Sequence, residues 1–185
     1  MGRTDNGTVE TLSTSGSLWS GYHAQDIRTM FFELLLSAKT SIRISAFSVG
    51  KKNPDTEEFF QIIEDKLLGD KKITMIVNDD ENIHDYSRKR LRTLQKRFPE
   101  SDDPLVGSLY VRYFDPFRKG KKKMILHSKI AVVDRKYALI GSANISRNAL
   151  LHNYEIMLKI KGKSVSRIDD MLIELSYAIK NGDSY

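Results

Sequence analysis

The sequence predicts an α/β fold: a mixed, mostly parallel β-sheet flanked by helices on both faces. Three observations lead there. Helical and strand-like hydrophobic periods alternate through the first half of the chain, strand-like segments cluster in the second half, and an amphipathic helix closes it. The chain has 185 residues, 40% of them hydrophobic, which suits a single core of ordinary size. There is no internal repeat and no linker. The expected organisation is a flexible N-terminal tail over residues 1–18, rich in Ser, Thr and Gly, followed by one domain over residues 19–183.

The elements follow in order. Ile27, Met30, Phe31, Leu34 and Ala38 recur at helical spacing within 25–38. Residues 41–49 alternate, with Ile42, Ile44 and Ala46 on one side, as a strand does. After turn material at 50–54, Thr56 is a candidate cap for a second helix lined by Phe59, Ile63 and Leu67 and stopped by Gly69. Lys72 to Val77 is a short, mostly apolar strand, and a third helix runs from about His84 to Phe98, ended by Pro99. Leu109 to Phe114 is a strand, then comes a basic turn at 118–123. Two apolar runs, 124–133 and 138–140, are divided by Asp134-Arg135-Lys136. Tyr154 to Ile160 is the next strand. Val165, Ile168, Leu172, Leu175 and Ile179 trace the last helix, with Gly182 beyond it.

Composition removes several classes of function. No run of about 18 apolar residues occurs, so no membrane-spanning helix and no stable membrane insertion is expected. The first 20 residues lack the charged-then-apolar pattern of a secretory signal, which makes the cytoplasm the default location. There is no cysteine, hence no disulfide and no thiolate zinc site. The net charge of +6 and the pI near 9.4 favour phosphate-rich partners.

The informative segment is His127-Ser-Lys129-Ile-Ala-Val-Val-Asp134, followed six residues later by Gly141-Ser142-Ala-Asn144. Strand alternation puts His127 and Lys129 on one face. A histidine beside a lysine on an exposed sheet face is an anion site with a nucleophile built in. Gly141 permits a tight backbone path, and Ser142 and Asn144 bring further hydrogen-bond donors to the same place. Glu155, on the next strand, is placed to accept a proton from the far nitrogen of His127 and so to set its tautomer.

The pattern His-x-Lys-x4-Asp-x6-Gly-Ser-x-Asn resembles the signature of the phospholipase D superfamily, the HKD motif. The resemblance covers roughly residues 19–180 and is closest to the small single-motif members. It implies a phospholipase D-like fold and a phosphodiesterase. His127 would attack phosphorus and form a phosphohistidine, while Lys129 and Asn144, helped by Ser142, hold the non-bridging oxygens. Glu155 would orient His127, and Asp134 and Gly141 would be structural. One active site in this family uses two motifs, the second histidine protonating the leaving oxygen. A chain with one motif is therefore expected to work as a homodimer. The scheme implies no metal and no cofactor.

Substrate is less specified than reaction. A basic segment, Arg118, Lys119, Lys121, Lys122 and Lys123, stands just before the motif. The third predicted helix carries Arg88, Arg92 and Lys96 along one ridge, with Lys89, Arg90 and Arg97 beside it. These segments and the short single-motif chain favour nucleic acid, DNA or RNA, with Lys121, Lys122 and Lys123 as candidate substrate contacts. A phospholipid or cardiolipin hydrolase is the alternative. So is a nucleic-acid-binding subunit of a defence complex with little turnover. Asp79, Asp80, Glu81 and His84 are read as a polar loop rather than a metal cluster.

Overall fold

Residues 7–19, 24–115 and 125–182 are described in a computed structural model of the chain. In chain order the strands are β1 (Thr8–Thr14), β2 (Gln25–Asp26), β3 (Ser41–Ala46), β4 (Lys72–Asn78), β5 (Ser108–Phe114), β6 (Lys129–Val133), β7 (Tyr137–Gly141) and β8 (Ile156–Lys161). The helices are α1 (Ile27–Leu36), α2 (Pro54–Leu68), α3 (Asp85–Arg97) and α4 (Lys163–Asn181), with a π-helical turn at Asn148–His152.

The strands form one sheet in the order β2-β1-β8-β7-β6-β3-β4-β5. The β3–β4 and β4–β5 pairs are parallel because a helix crosses over between them, α2 and α3 respectively. Strands β6 and β7 meet through a tight turn and must be antiparallel. Among the described residues three pairings are parallel and four antiparallel, so the sheet is mixed but not mostly parallel. The expected parallel excess extrapolated from the α/β alternation of the first half.

Helices cover both faces, as expected. Ile42, Ile44, Ile73, Met75, Ala131 and Leu139 face the buried sides of α1, α2 and α3, among them Phe31, Leu35, Phe59, Phe60 and Leu91. Ile76, Phe114, Val132 and Ala138 face the opposite way, onto Val165 and Leu172 of α4. Ile130 and Ile140 pack partly buried against this cluster, and the sheet register continues their row to Leu158 and Leu12, which are 37% and 45% exposed.

Two sequence expectations need correction. Residues 8–14, assigned to a tail, are a sheet strand paired antiparallel with β8. Ser13 and Ser15 are buried, and the Ser13 hydroxyl donates to the Met157 carbonyl at 3.3 Å. The Ser/Thr content masks a strand whose Thr8, Val9 and Thr11 are good β-formers. Thr56 is not the cap of α2. Asn53 is, accepting from the Asp55 and Thr56 amides at 3.0 and 3.1 Å, while the Thr56 hydroxyl accepts from the Asn53 amide. Pro54 then opens the helix, a position that needs no amide donor.

Candidate active site

The ends of β3, β4 and β7, the approach to β6 and the approach to β8 converge at one end of the sheet. His127 lies two residues before β6 and is exposed. Lys129, the first residue of β6, pairs with Ala46, so the chain beyond Ala46 runs alongside the His127 segment. The Phe47 ring packs 4.6 Å from the His127 ring, centroid to centroid. Behind them Asn78, fully buried at the end of β4, grips both segments. Its Nδ2 donates to the Phe47 and Leu126 carbonyls, each at 3.0 Å, and its Oδ1 accepts from the Leu126 amide at 3.1 Å. Ser45 and Ser128 join by their hydroxyls on the adjacent row.

Lys129 is buried. Its ammonium lies 3.2 Å from each ring nitrogen of His127, donates to the His127 carbonyl at 2.9 Å and sits 4.8 Å over the Phe47 ring. Burial pushes this ammonium below the ordinary lysine range, and the nearby Glu155 carboxylate offsets part of that push. Asn144 shares a small cavity of about 20 Å³ with Lys129, walled by Ile44, Ala46, Leu150 and Met157. The Asn144 Oδ1 is buried with no hydrogen-bond partner, a costly arrangement in a packed interior.

Gly141 and Ser142 lock the β7–β8 junction. A Cβ on Gly141 would stand 2.0 Å from the Ile156 carbonyl oxygen, so no side chain fits. The Ser142 amide donates to that carbonyl at 3.0 Å, and its hydroxyl oxygen accepts from the Ile156 amide at 3.2 Å. The Ser142 hydroxyl proton remains available to an incoming acceptor. Glu155 departs from expectation: its carboxylate accepts from Asn153 at 3.3 Å, and no bond to His127 occurs among the described residues.

Asp134 lies at the far end of β6. With Arg135 it adopts positive φ, 54° and 56°, in the turn to β7, which the Lys136 amide closes onto the Val133 carbonyl at 3.0 Å. Its carboxylate accepts from the amides of Lys39, Thr40 and Ser41 at 2.9, 2.7 and 2.9 Å and from the Thr40 hydroxyl at 2.8 Å. This aspartate fastens the start of β3, and with it the strand that leads to Phe47.

The chain thus brings His127, Lys129, Asn144, Ser142 and Glu155 to one end of the sheet, with Asp134 remote from them. Lys121, Lys122 and Lys123, with Arg118 and Lys119, lie outside the described residues. Asp79 bonds Arg88, Asp80 accepts from Asn82 at 2.9 Å, and the His84 ring caps the Tyr86 amide at 3.2 Å. Asn78 and Phe47 were not singled out from the sequence. The available signal was an asparagine closing the mostly apolar run from Ile73 to Val77.

An exposed histidine lies against a buried ammonium, with an unpartnered amide oxygen and a glycine-tight turn beside them. The chain belongs to the phospholipase D superfamily of phosphodiesterases: residues 31–174 match the family described as "Cardiolipin synthase, PLD-like domain". Solved structures agree on the fold. NucT from Helicobacter pylori superposes with a TM-score of 0.66 at 20% identity, covering 91% of this chain and 93% of that one. Nuc from Salmonella typhimurium, a phospholipase D family member, gives 0.64 at 18% identity with 95% of each chain covered. Phosphatidylserine synthase from Haemophilus influenzae gives 0.58 at 16% identity, over 84% of this chain but 37% of that one. The DISARM protein DrmC of Bacillus paralicheniformis is 23% identical over 144 residues, 77% of this chain and 53% of that protein. The chain therefore spans about half the length of that curated relative. Among the described residues no helix is long and apolar enough to cross a membrane.

Proposed function

We propose that this protein is a metal-independent nuclease that hydrolyses nucleic-acid phosphodiesters through a phosphohistidine at His127, working as a homodimer. The observation that carries the reading is the exposed His127 ring held against the buried Lys129 ammonium. A neutral His127 nitrogen attacks phosphorus, a P–N bond forms and the P–O bond to the leaving strand breaks. The leaving oxygen takes its proton from the imidazolium of the partner subunit's His127. Water then attacks the phosphohistidine and gives a proton back to that second ring, and the P–N bond breaks. Lys129, the Asn144 amide and the Ser142 hydroxyl face the non-bridging oxygens, where negative charge grows in the transition state. The Glu155 carboxylate favours the charged form of Lys129.

Nucleic acid is favoured by the net charge of +6 and by the match, nearly end to end, with the short chains NucT and Nuc. The exposed Leu12, Leu158 and Ile156, the last beside Glu155, support a second copy of this chain as the occupant of this face. A two-fold pairing of that self-complementary patch brings two copies of the site together. The test is cleavage of labelled single- and double-stranded DNA and RNA in excess chelator. Wild type cuts at least one of them and His127→Ala cuts none; a folded wild type that cuts none refutes the nuclease reading.

The family description and the phosphatidylserine synthase likeness favour a second reading, a phospholipid or cardiolipin hydrolase. Head-group release from cardiolipin-containing vesicles, lost in His127→Ala, selects it. A subunit of a larger defence assembly is compatible with the DrmC match. Nucleic-acid binding by a wild type without turnover selects that reading.

A further inference from the structure

Helix α3 carries six cationic side chains, and the structure sorts them differently from their ridge in the sequence. Arg88 is committed to Asp79 and to the Asp80 carbonyl. Arg90 and Arg97 both reach Glu64 on α2. These three are ion-paired from inside, with Glu64 shared by two of them. Lys89, Arg92 and Lys96 are exposed and have no ion pair among the described residues, although Arg92 lies beside the Tyr113 hydroxyl. Their spacing, three then four residues, places them on one side of the helix over about 10 Å. With Asp85, Arg88 and Thr93 they line an open groove of about 400 Å³. Like charges so spaced oppose helix formation, and no acidic side chain on α3 beyond Asp85 relieves them.

The groove starts at the end of the molecule where His127 sits. The Val49 amide donates to the Asn82 carbonyl at 3.3 Å and the His84 amide to the Val49 carbonyl at 3.1 Å, which ties the start of α3 to the segment after Phe47. Asn78, which holds Leu126, is followed directly by Asp79, which holds Arg88. Lys89 is thus one turn into the helix from the candidate active site, and Arg92 and Lys96 recede from it along α3, which packs on the edge strand β5.

We propose that the outer face of α3, through Lys89, Arg92 and Lys96, is a track for the phosphates that flank the scissile one. The substrate is then an extended nucleic-acid strand rather than an isolated diester. About 10 Å spans roughly three successive phosphates of one B-form strand. This rests on the phosphodiesterase reading of the His127 site, and the test separates the two.

The experiment compares wild type with a Lys89→Ala, Arg92→Ala, Lys96→Ala triple variant, and with a charge control on α4, Lys163→Ala with Arg167→Ala. Two probes are used: a long single-stranded oligonucleotide, and bis(p-nitrophenyl) phosphate, which is too small to reach α3. Oligonucleotide affinity is measured by anisotropy against salt, with His127→Asn added to every protein so that nothing is cut. The triple variant is expected to bind the oligonucleotide roughly tenfold more weakly at low salt and to lose about 2 from the slope of log K against log salt. The α4 control changes neither, and all three proteins with His127 intact hydrolyse the small diester equally. An unchanged affinity and slope in the triple variant overturns the track while leaving the chemistry standing. Absence of diester hydrolysis by wild type, with the slope still lost in the triple variant, overturns the chemistry and leaves α3 as a binding surface.

Discussion

At the scale of single residues, the site depends on side chains that never touch a substrate. Asn78 satisfies both polar groups of Leu126 and the carbonyl of Phe47, so it sets the path of the chain into His127 and the seat of the ring beneath it. Asn78→Ala leaves these groups buried without partners, at about 1–3 kcal/mol of stability. Small displacements of a reacting group are expensive, so kcat should fall by roughly a hundredfold with KM little changed. Steady-state kinetics alongside urea unfolding checks both, and a purely structural role would lower stability without touching kcat of the folded protein. The role proposed for Glu155 is electrostatic. Burial lowers the Lys129 ammonium and the carboxylate partly restores it. In Glu155→Gln burial acts unopposed, Lys129 loses its proton at lower pH, and the alkaline limb of the pH–rate profile moves down. An unmoved limb would show that Glu155 does not support the cation.

At the scale of elements, β6 is anchored at both ends by different chemistry. At its start Lys129 faces the site, and past its end Asp134 bonds three amides at the head of β3. Burial pushes the Asp134 carboxyl up, but the amides of Ser41, Lys39 and Thr40 and the Thr40 hydroxyl outweigh it, leaving the group below the ordinary aspartate range. A carboxyl lowered by folding stabilises the protein above its unfolded pKa, near 3.9, and that contribution fades as pH falls through the lower folded value. Asp134→Ala should therefore cost about 1.5–3 kcal/mol at neutral pH. The gap between variant and wild type should close in strong acid, as thermal unfolding across pH will show. Helix α4 is held in a comparable way: the fully buried Asp169 receives Arg43 at 2.6 and 2.7 Å and Arg135 at 3.0 Å, which ties it to β3 and to the β6–β7 turn.

At the scale of the whole molecule, one copy exposes an apolar row that a single helix on that face does not cover. In the proposed dimer this row is buried and each site is completed by the partner. Leu158→Glu changes a surface position, so the monomer keeps its fold, to within about 0.5 kcal/mol. Light scattering should report a monomer where wild type is a dimer, and cleavage should be lost with it. A monomeric wild type with full activity would dismiss the dimer.

How much could be read in advance followed from distance along the chain. The signature from His127 to Asn144 is short and lies on two adjoining strands, so its residue types and spacing announce the chemistry directly. The helices and β3 to β8 declare themselves by period, because side chains facing one core must repeat with the backbone geometry. Strand β1 does not: Ser13 is buried only because Met157 lies opposite, 144 residues away. The tertiary structure alone decided that Asn78 holds the approach to His127, that Glu155 makes no bond to His127 among the described residues, and that Lys89, Arg92 and Lys96 have no ion pair there. Each depends on which remote backbone group or carboxylate comes within hydrogen-bonding or ion-pairing reach, which local residue pattern does not encode.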